Sequence, residues 1–332
     1  MRDTRVLLTT AGPYASFGTP LVEACANEGT SYVDINGEIG WHHQMIAEHD
    51  AAARASGSVL VPSSGFDSIP SDLGTQWMAQ RMEDECGQPA RRISCFVRVK
   101  GDFSGGTVAS GIQSDEIYGS TLLSDPFLLG GARPSSTCDD EHSDLTTAVF
   151  NETIGSHVAP FGMAQINTRI VRRSIGLFEA SDPLRAAQRF TPDFCYQEFA
   201  VAPSEEVAVK MARATAAPAE KRRALVAAGR LPSPGQGPDE ATRGKSWFEF
   251  TFVAESADGI HKLVGVVSGG DAGYDETAKM VSEAAVALAT SKSVNLAGGF
   301  WTPAAALGVQ LREILHAEGI RFQAAPALDV WT

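Results

Sequence analysis

The sequence predicts an α/β protein in two parts: a short parallel sheet with crossover helices, then a mixed α/β domain with α+β character. Three observations point there. Strand-like and helix-like segments alternate with short connections over residues 1–88. From about Arg91 the apolar side chains fall at every second position, at Ile93, Cys95, Val97 and Val99. Two later strand-like runs are joined through Asp258 and Gly259, a hairpin signal.

Residues 5–10 read as the first strand and residues 17–28 as a helix, with Leu21, Val22 and Cys25 as its apolar stripe. Residues 31–35 are a second strand. Asn36, Gly37 and Glu38 then lead into a helix over residues 41–55. Residues 58–61 form a third strand, ended by Pro62. The loop 63–68 enters a helix over residues 70–82, with Leu73, Trp77 and Met78 on one face. In the second part, residues 93–100, 194–201, 247–253 and 262–267 read as strands, and Gly105 opens a helix. Residues 229–244 are rich in Pro and Gly and read as a mobile surface loop, because strand signals resume beyond them. Asp275 caps a helix that runs to residue 289. Thr302 before Pro303 starts the last helix, striped by Leu307, Leu311, Ile314 and Leu315.

The 332 residues suffice for one large domain or two ordinary ones. Apolar content of 43% and charged content of 20% fit a globular chain. The net charge of -13 argues against nucleic acid as a partner, since phosphate binding relies on clustered Lys and Arg. The basic clusters Arg172–Arg173 and Lys221–Arg223 read as solvated helix faces. The five cysteines, at 25, 86, 95, 138 and 195, show no C-x-x-C spacing and read as reduced thiols of a cytoplasmic protein. No metal site is expected. His42 and His43 read as the exposed face of a surface helix without a role. Neither a signal peptide nor a spanning helix is legible. Residues 126–129, beside Gly130 and Gly131, suggest peripheral membrane contact.

In open parallel sheets ligands bind beyond the carboxyl ends of the strands. Three loops fall there: Ala11-Gly12-Pro13-Tyr14, Asn36-Gly37-Glu38 and the stretch from Ser64 to Asp72. Taken singly each reads as a turn, and Ser68, Ser71 and Asp72 as helix caps. Their convergence on one sheet edge favours a ligand site. Asp67 is the carboxylate of greatest interest. It is a general acid or base if burial lifts its pKa from about 4 toward neutrality, and otherwise an ordinary hydrogen-bonding group. In the second part, "SGGTVASG" places Thr107 and Ser110 on a helix start suited to an anionic or carbonyl ligand, and "INTRIVRRS" offers Arg169 to a carboxylate or phosphate.

Taken together, "TTAGPYASFGTPLVEAC", "YVDINGE", "PSSGFDSIPSDLG", "SGGTVASG", "INTRIVRRS", "SGGDAGYDETAKM" and "GGFWTPAAALG" resemble, in order, the saccharopine dehydrogenase-like oxidoreductases, including trans-acting enoyl reductases. The resemblance implies a Rossmann-type NAD- or NADP-binding domain (1–88), a central substrate and dimerisation domain (89–292) and a C-terminal helix segment (293–332) returning to the first. It sets Ala11, Gly12, Pro13 and Tyr14 near the nicotinamide, and lines the same crevice with Gly37, Glu38, Gly65, Phe66 and Ser68. A Gly-hydrophobic-Asp turn matching residues 65–67 puts Asp67 near substrate. Thr107, Ser110 and Arg169 fall to the substrate side. Members of the family begin with a G-x-x-G-x-x-G loop and further βα steps that precede the segment opening this chain. The expectation is therefore a partial Rossmann-type sheet lacking its first βα units, with an incomplete cofactor site in an N-terminally truncated homologue.

Two functions are compatible with this. One is NAD(P)-dependent reduction of a C=C, C=O or C=N bond in a lipid-like small molecule. The other is a non-catalytic module that binds a lipid or a protein. The expected partners are a small-molecule substrate, a second copy in a homodimer, and a membrane or lipid-droplet surface.

Overall fold

The computed structural model describes residues 3–131, 133, 141–290 and 296–326. The first sheet holds β1 (Val6–Thr9), β2 (Ser31–Asp34), β3 (Val59–Val61) and β10 (Gly299–Phe300), all parallel, in the order β1-β2-β3-β10. Between these strands run α1 (Tyr14–Phe17), α2 (Thr19–Glu28), α3 (Ile39–Ser56) and α4 (Ile69–Cys86). The three βα steps are those legible in the sequence, with the first helix broken in two at Gly18. β10 is new. Its two residues lie opposite Val59 and Leu60, and Asp50 of α3 accepts the Phe300 N–H at 2.9 Å.

The second sheet has seven strands in the order β11-β9-β8-β4-β7-β6-β5. They are β4 (Ala90–Lys100), β5 (Val149–Asn151), β6 (Ser156–Pro160), β7 (Phe190–Ala202), β8 (Trp247–Ser256), β9 (Lys262–Gly269) and β11 (Arg321–Ala325). Only β4 and β7 pair in parallel. The accompanying helices are α5 (Gly105–Leu123), α6 (Ala164–Ser181), α7 (Pro183–Arg189), α8 (Glu205–Thr215), α9 (Ala219–Ala227), α10 (Glu240–Arg243), α11 (Asp275–Thr290), α12 (Pro303–Ala306) and α13 (Gly308–Ala317).

One core joins the two sheets. Val33 and Val61 of the first, Leu73 and Met78 of α4, and Phe248, Phe250 and Phe252 of β8 belong to a single buried cluster. Full burial of such side chains contributes about 1.5–3 kcal/mol each. The chain also passes back and forth. α11 packs on β1 and β2, β10 extends the first sheet, and β11 pairs with β9 in the second. Residues 229–244 lie across the start of α5, where the Gly105 N–H donates to Gln236 O at 2.9 Å.

Two surface expectations are overturned. Leu128 and Leu129 are buried with Ile39, Leu123 and Ile170, so residues 126–129 do not offer these leucines to a membrane. Among the described residues no helix is long and apolar enough to cross one. Arg172 and Arg173 are buried rather than solvated. They donate to the carbonyls of Pro126, His142, Tyr196, Leu129 and Phe300, tying the segment before residue 131 to α6. Lys221 to Arg223 lie on α9, whose Arg222 and Arg223 pair with Asp115 and Glu116 of α5. Cys25, Cys86, Cys95 and Cys195 are free thiols, and Cys138 lies outside the described residues.

Candidate functional site

The carboxyl ends of β1, β2 and β3 are fastened together by two buried carboxylates. Asp34, the last residue of β2, accepts from Tyr32 Oη at 2.7 Å, Asn36 N at 2.9 Å and Ser63 N at 2.8 Å. This bonds the loop after β2 to the loop after β3. Burial still lifts the Asp34 carboxyl to about 6 against those stabilising donors. Glu38 accepts from Tyr14 N at 2.7 Å and Ala15 N at 2.9 Å. Two N–H groups that a helix start leaves open are thus closed by a side chain of the neighbouring loop. The crevice role expected for Glu38 gives way to this inward one, since both of its oxygens are engaged within the fold. Tyr14 is buried beside it, donating to Thr9 O at 3.1 Å.

The third loop is a tight turn. Ser68 N donates to Phe66 O at 2.8 Å and Ile69 N to Gly65 O at 3.1 Å, leaving Asp67 at the apex. Asp67 is half-buried, and its carboxylate has no hydrogen bond among the described residues. It lies against the backbone of Gly37 and near Ile166 of α6. Burial alone pushes its carboxyl up to about 7. Phe66 points the other way, with its ring 5.1 Å from that of Phe248 and 5.5 Å from that of Phe250. Its place is in the core between the sheets rather than against a cofactor. Gly65 packs on Ile35 and Thr277.

Ser68 and Asp72 do not act as caps. Ser68 Oγ donates to Asn167 Oδ1 at 3.1 Å, Asn167 Nδ2 donates to Glu198 Oε2 at 2.9 Å, and Tyr196 Oη donates to Glu198 Oε1 at 2.6 Å. Asp72 accepts from Ser174 Oγ at 2.5 Å and Ala304 N at 2.8 Å. Burial raises Asp72 and Glu198 to about 7 each. The reason is positional. The start of α4 is enclosed by α6, α12 and β7, so its polar side chains find partners there.

α5 forms the roof. Ser104 caps it, accepting from Thr107 N at 3.0 Å. Ser110 Oγ lies 3.6 Å from where a Cβ on Gly12 would stand, and Gln113 Nε2 donates to Ser16 Oγ at 2.6 Å. Tyr118 lies on Gly40 of α3. Thr107 is exposed one turn before Ser110, and Ala11 and Gly12 are exposed beneath, with Pro13 half-buried. The structure therefore brings Ser110 over Gly12 and Asp67 against Gly37, at the ends of neighbouring strands, with Tyr14 buried beneath them. It turns Glu38, Phe66 and Ser68 away from this edge.

Arg169 is overturned as a ligand contact. It is 0% exposed, pairs with Asp144, and donates to the carbonyls of Leu123, Ser124 and Asp125. His42 is buried rather than exposed, with neither ring nitrogen partnered among the described residues, and burial holds its pKa down at about 3. His43 Nδ1 lies 2.8 Å from Leu128 O. Asn167 and Ile166 escaped the sequence reading, although both stand in the quoted segment. The arginines beside them carried the stronger signal.

No family model matches the chain. A Mycobacterium tuberculosis protein named as a proposed trans-acting enoyl reductase is 32% identical over 335 residues, covering 96% of this chain and 80% of that one. The trans-acting enoyl reductase of Mycobacterium leprae is 30% identical over 339 residues, covering 95% and 79%. Among solved structures, apo saccharopine dehydrogenase (L-Glu forming) of Saccharomyces cerevisiae aligns with a TM-score of 0.45 at 10% identity, over 98% of this chain and 85% of that one. On the identity shared along nearly its whole length, the chain belongs to the family of the trans-acting enoyl reductases.

Proposed function

We propose that the chain is an oxidoreductase that reduces a carbon–carbon double bond conjugated to a carbonyl in a lipid-like substrate, with Asp67 as proton donor. The observation that carries this is the placement of Asp67, against Gly37 and without a hydrogen bond to its carboxylate among the described residues. A half-buried carboxyl at the apex of a turn, raised to about 7, exchanges its proton in the neutral range where general acids work best. The reaction class comes from the names of the relatives.

This edge of the sheet fits the nicotinamide end of NADPH or NADH. Ala11 and Gly12 are exposed, Ser110 adds a hydroxyl beside Gly12, and Asp67 stands against the backbone of the half-buried Gly37. The N–H groups at the start of α1, by contrast, are held by Glu38 and are closed to a diphosphate. When bound, the nicotinamide supplies a hydride. The chain's own residues supply the rest. Asp67 holds the proton destined for the carbon next to the carbonyl, and the hydroxyls of Ser110 and Thr107 donate to the carbonyl oxygen.

Titration of NADPH and NADH fluorescence with the full chain tests the reading. Saturable enhancement is expected for at least one nucleotide, and Gly37→Val is expected to weaken it. Binding of neither would overturn the enzyme reading and leave the binding module.

A further inference from the structure

Asp67 makes no hydrogen bond of its own among the described residues, so the turn that carries it decides where the carboxyl points. The next residue, Ser68, has φ 117°, a conformation that side chains disfavour. Such a backbone persists only where its surroundings hold it. The side chain of Ser68 does not cap α4. Its hydroxyl donates to Asn167 Oδ1 at 3.1 Å instead.

The carboxamide of Asn167 is fixed in turn. Nδ2 donates to Glu198 Oε2 at 2.9 Å, and the other Glu198 oxygen accepts from Tyr196 Oη at 2.6 Å. An amide nitrogen facing a carboxylate leaves only the amide oxygen for Ser68. Ser68, Asn167, Glu198 and Tyr196 are all buried. Around them, the charge of Asp144 acts on Glu198, and the Tyr14 phenol lies within electrostatic reach of Asp67.

We propose that Asn167 is a positioning residue: braced by Glu198 and Tyr196 of the second sheet, it pins Ser68 in its left-handed conformation and so holds the Asp67 carboxyl against Gly37. The consequence for catalysis rests on the reading of Asp67 as proton donor, but the positioning itself does not.

A ¹³C NMR titration of the Asp67 carboxyl in the full chain tests this, with the signal identified by its loss in Asp67→Asn. The carboxyl is expected to titrate near pH 7 in the parent chain. In Asn167→Ala and in Ser68→Ala its pKa is expected to fall by about 2 units, toward the ordinary aspartate value, as the freed turn admits water. Ser68→Ala removes one hydroxyl and serves where Asn167→Ala does not fold. A bond that only stabilises the fold would lower the melting temperature and leave this titration in place. An unmoved pKa in folded Ser68→Ala overturns the proposal.

Turnover of crotonyl-coenzyme A with NADPH separates the two readings. If Asp67→Asn retains the parent rate while the titration shifts, the positioning stands and the proton-donor reading fails. If Asp67→Asn loses turnover and the titration is unmoved, the positioning alone fails.

Discussion

Asp67 Oδ2 lies 2.9 Å from the point that a Cβ on Gly37 would occupy, so the carboxylate and the backbone of the loop after β2 share one space. Ile166 Cδ1 stands 3.1 Å from the same point. Gly37→Ala is therefore expected to push Asp67 out of line, with only a small shift of Ile166 at the edge of its cluster. A displacement of this kind costs about 10–100-fold in turnover. The check is kcat for Gly37→Ala beside its urea midpoint, with the first falling and the second holding.

Glu38 makes the opposite prediction, a loss of stability. Its oxygens satisfy Tyr14 N and Ala15 N in a buried setting. Glu38→Ala leaves both donors without a partner, which costs about 2–4 kcal/mol in all. Glu38→Gln retains one acceptor and is expected to lose roughly half as much. Urea denaturation of the three chains measures the difference.

Arg169 is expected to matter for folding rather than for ligand affinity. Its guanidinium is enclosed and shared between Asp144 and the carbonyls of residues 123 to 125. Breaking such a buried pair typically costs about 3–5 kcal/mol. Arg169→Ala should show this in its unfolding midpoint. Arg169→Lys should recover little, because one ammonium cannot span the same acceptors.

Stability should fall as pH rises through neutrality. Asp67, Asp72 and Glu198 are raised to about 7 each and Asp34 to about 6. Between the ordinary carboxyl pKa near 4 and these values the folded chain binds more protons than the unfolded chain, so raising the pH favours unfolding. His42, held at about 3, acts the other way below its ordinary value of about 6.5, and by pH 6.5 its influence is fading. Thermal melts from pH 6.5 to 8.5 are expected to show the melting temperature falling to about pH 7.5 and levelling off above it, once these carboxyls are ionised in both states.

The parallel βα steps were legible because each strand is a short apolar run closed by Gly or Pro, and each helix carries an apolar stripe. β10 was not, since two residues, Gly299 and Phe300, hold no periodicity and are a strand only through β3 and Asp50. The loops of the site were legible as a set, through their glycines at one sheet edge. The direction of each side chain was not. Glu38, Ser68 and Arg169 look available in the sequence, and partners 20 or more residues away take them. Arg172 and Arg173 mislead for the same reason. Helical spacing of charges reads as a solvated face, and only the fold reveals the carbonyls of residues 126 and 129 waiting on that side.

The pH dependence of kcat/KM for crotonyl-coenzyme A and NADPH, compared between the parent chain and Asp67→Asn, tests the proton-donor role most directly. The parent rate is predicted to fall above about pH 7 as Asp67 gives up its proton. Asp67→Asn is predicted to be slower by about 100-fold or more and to lose that limb of the profile. An Asp67→Asn chain with the parent rate and the same fall above pH 7 would contradict it.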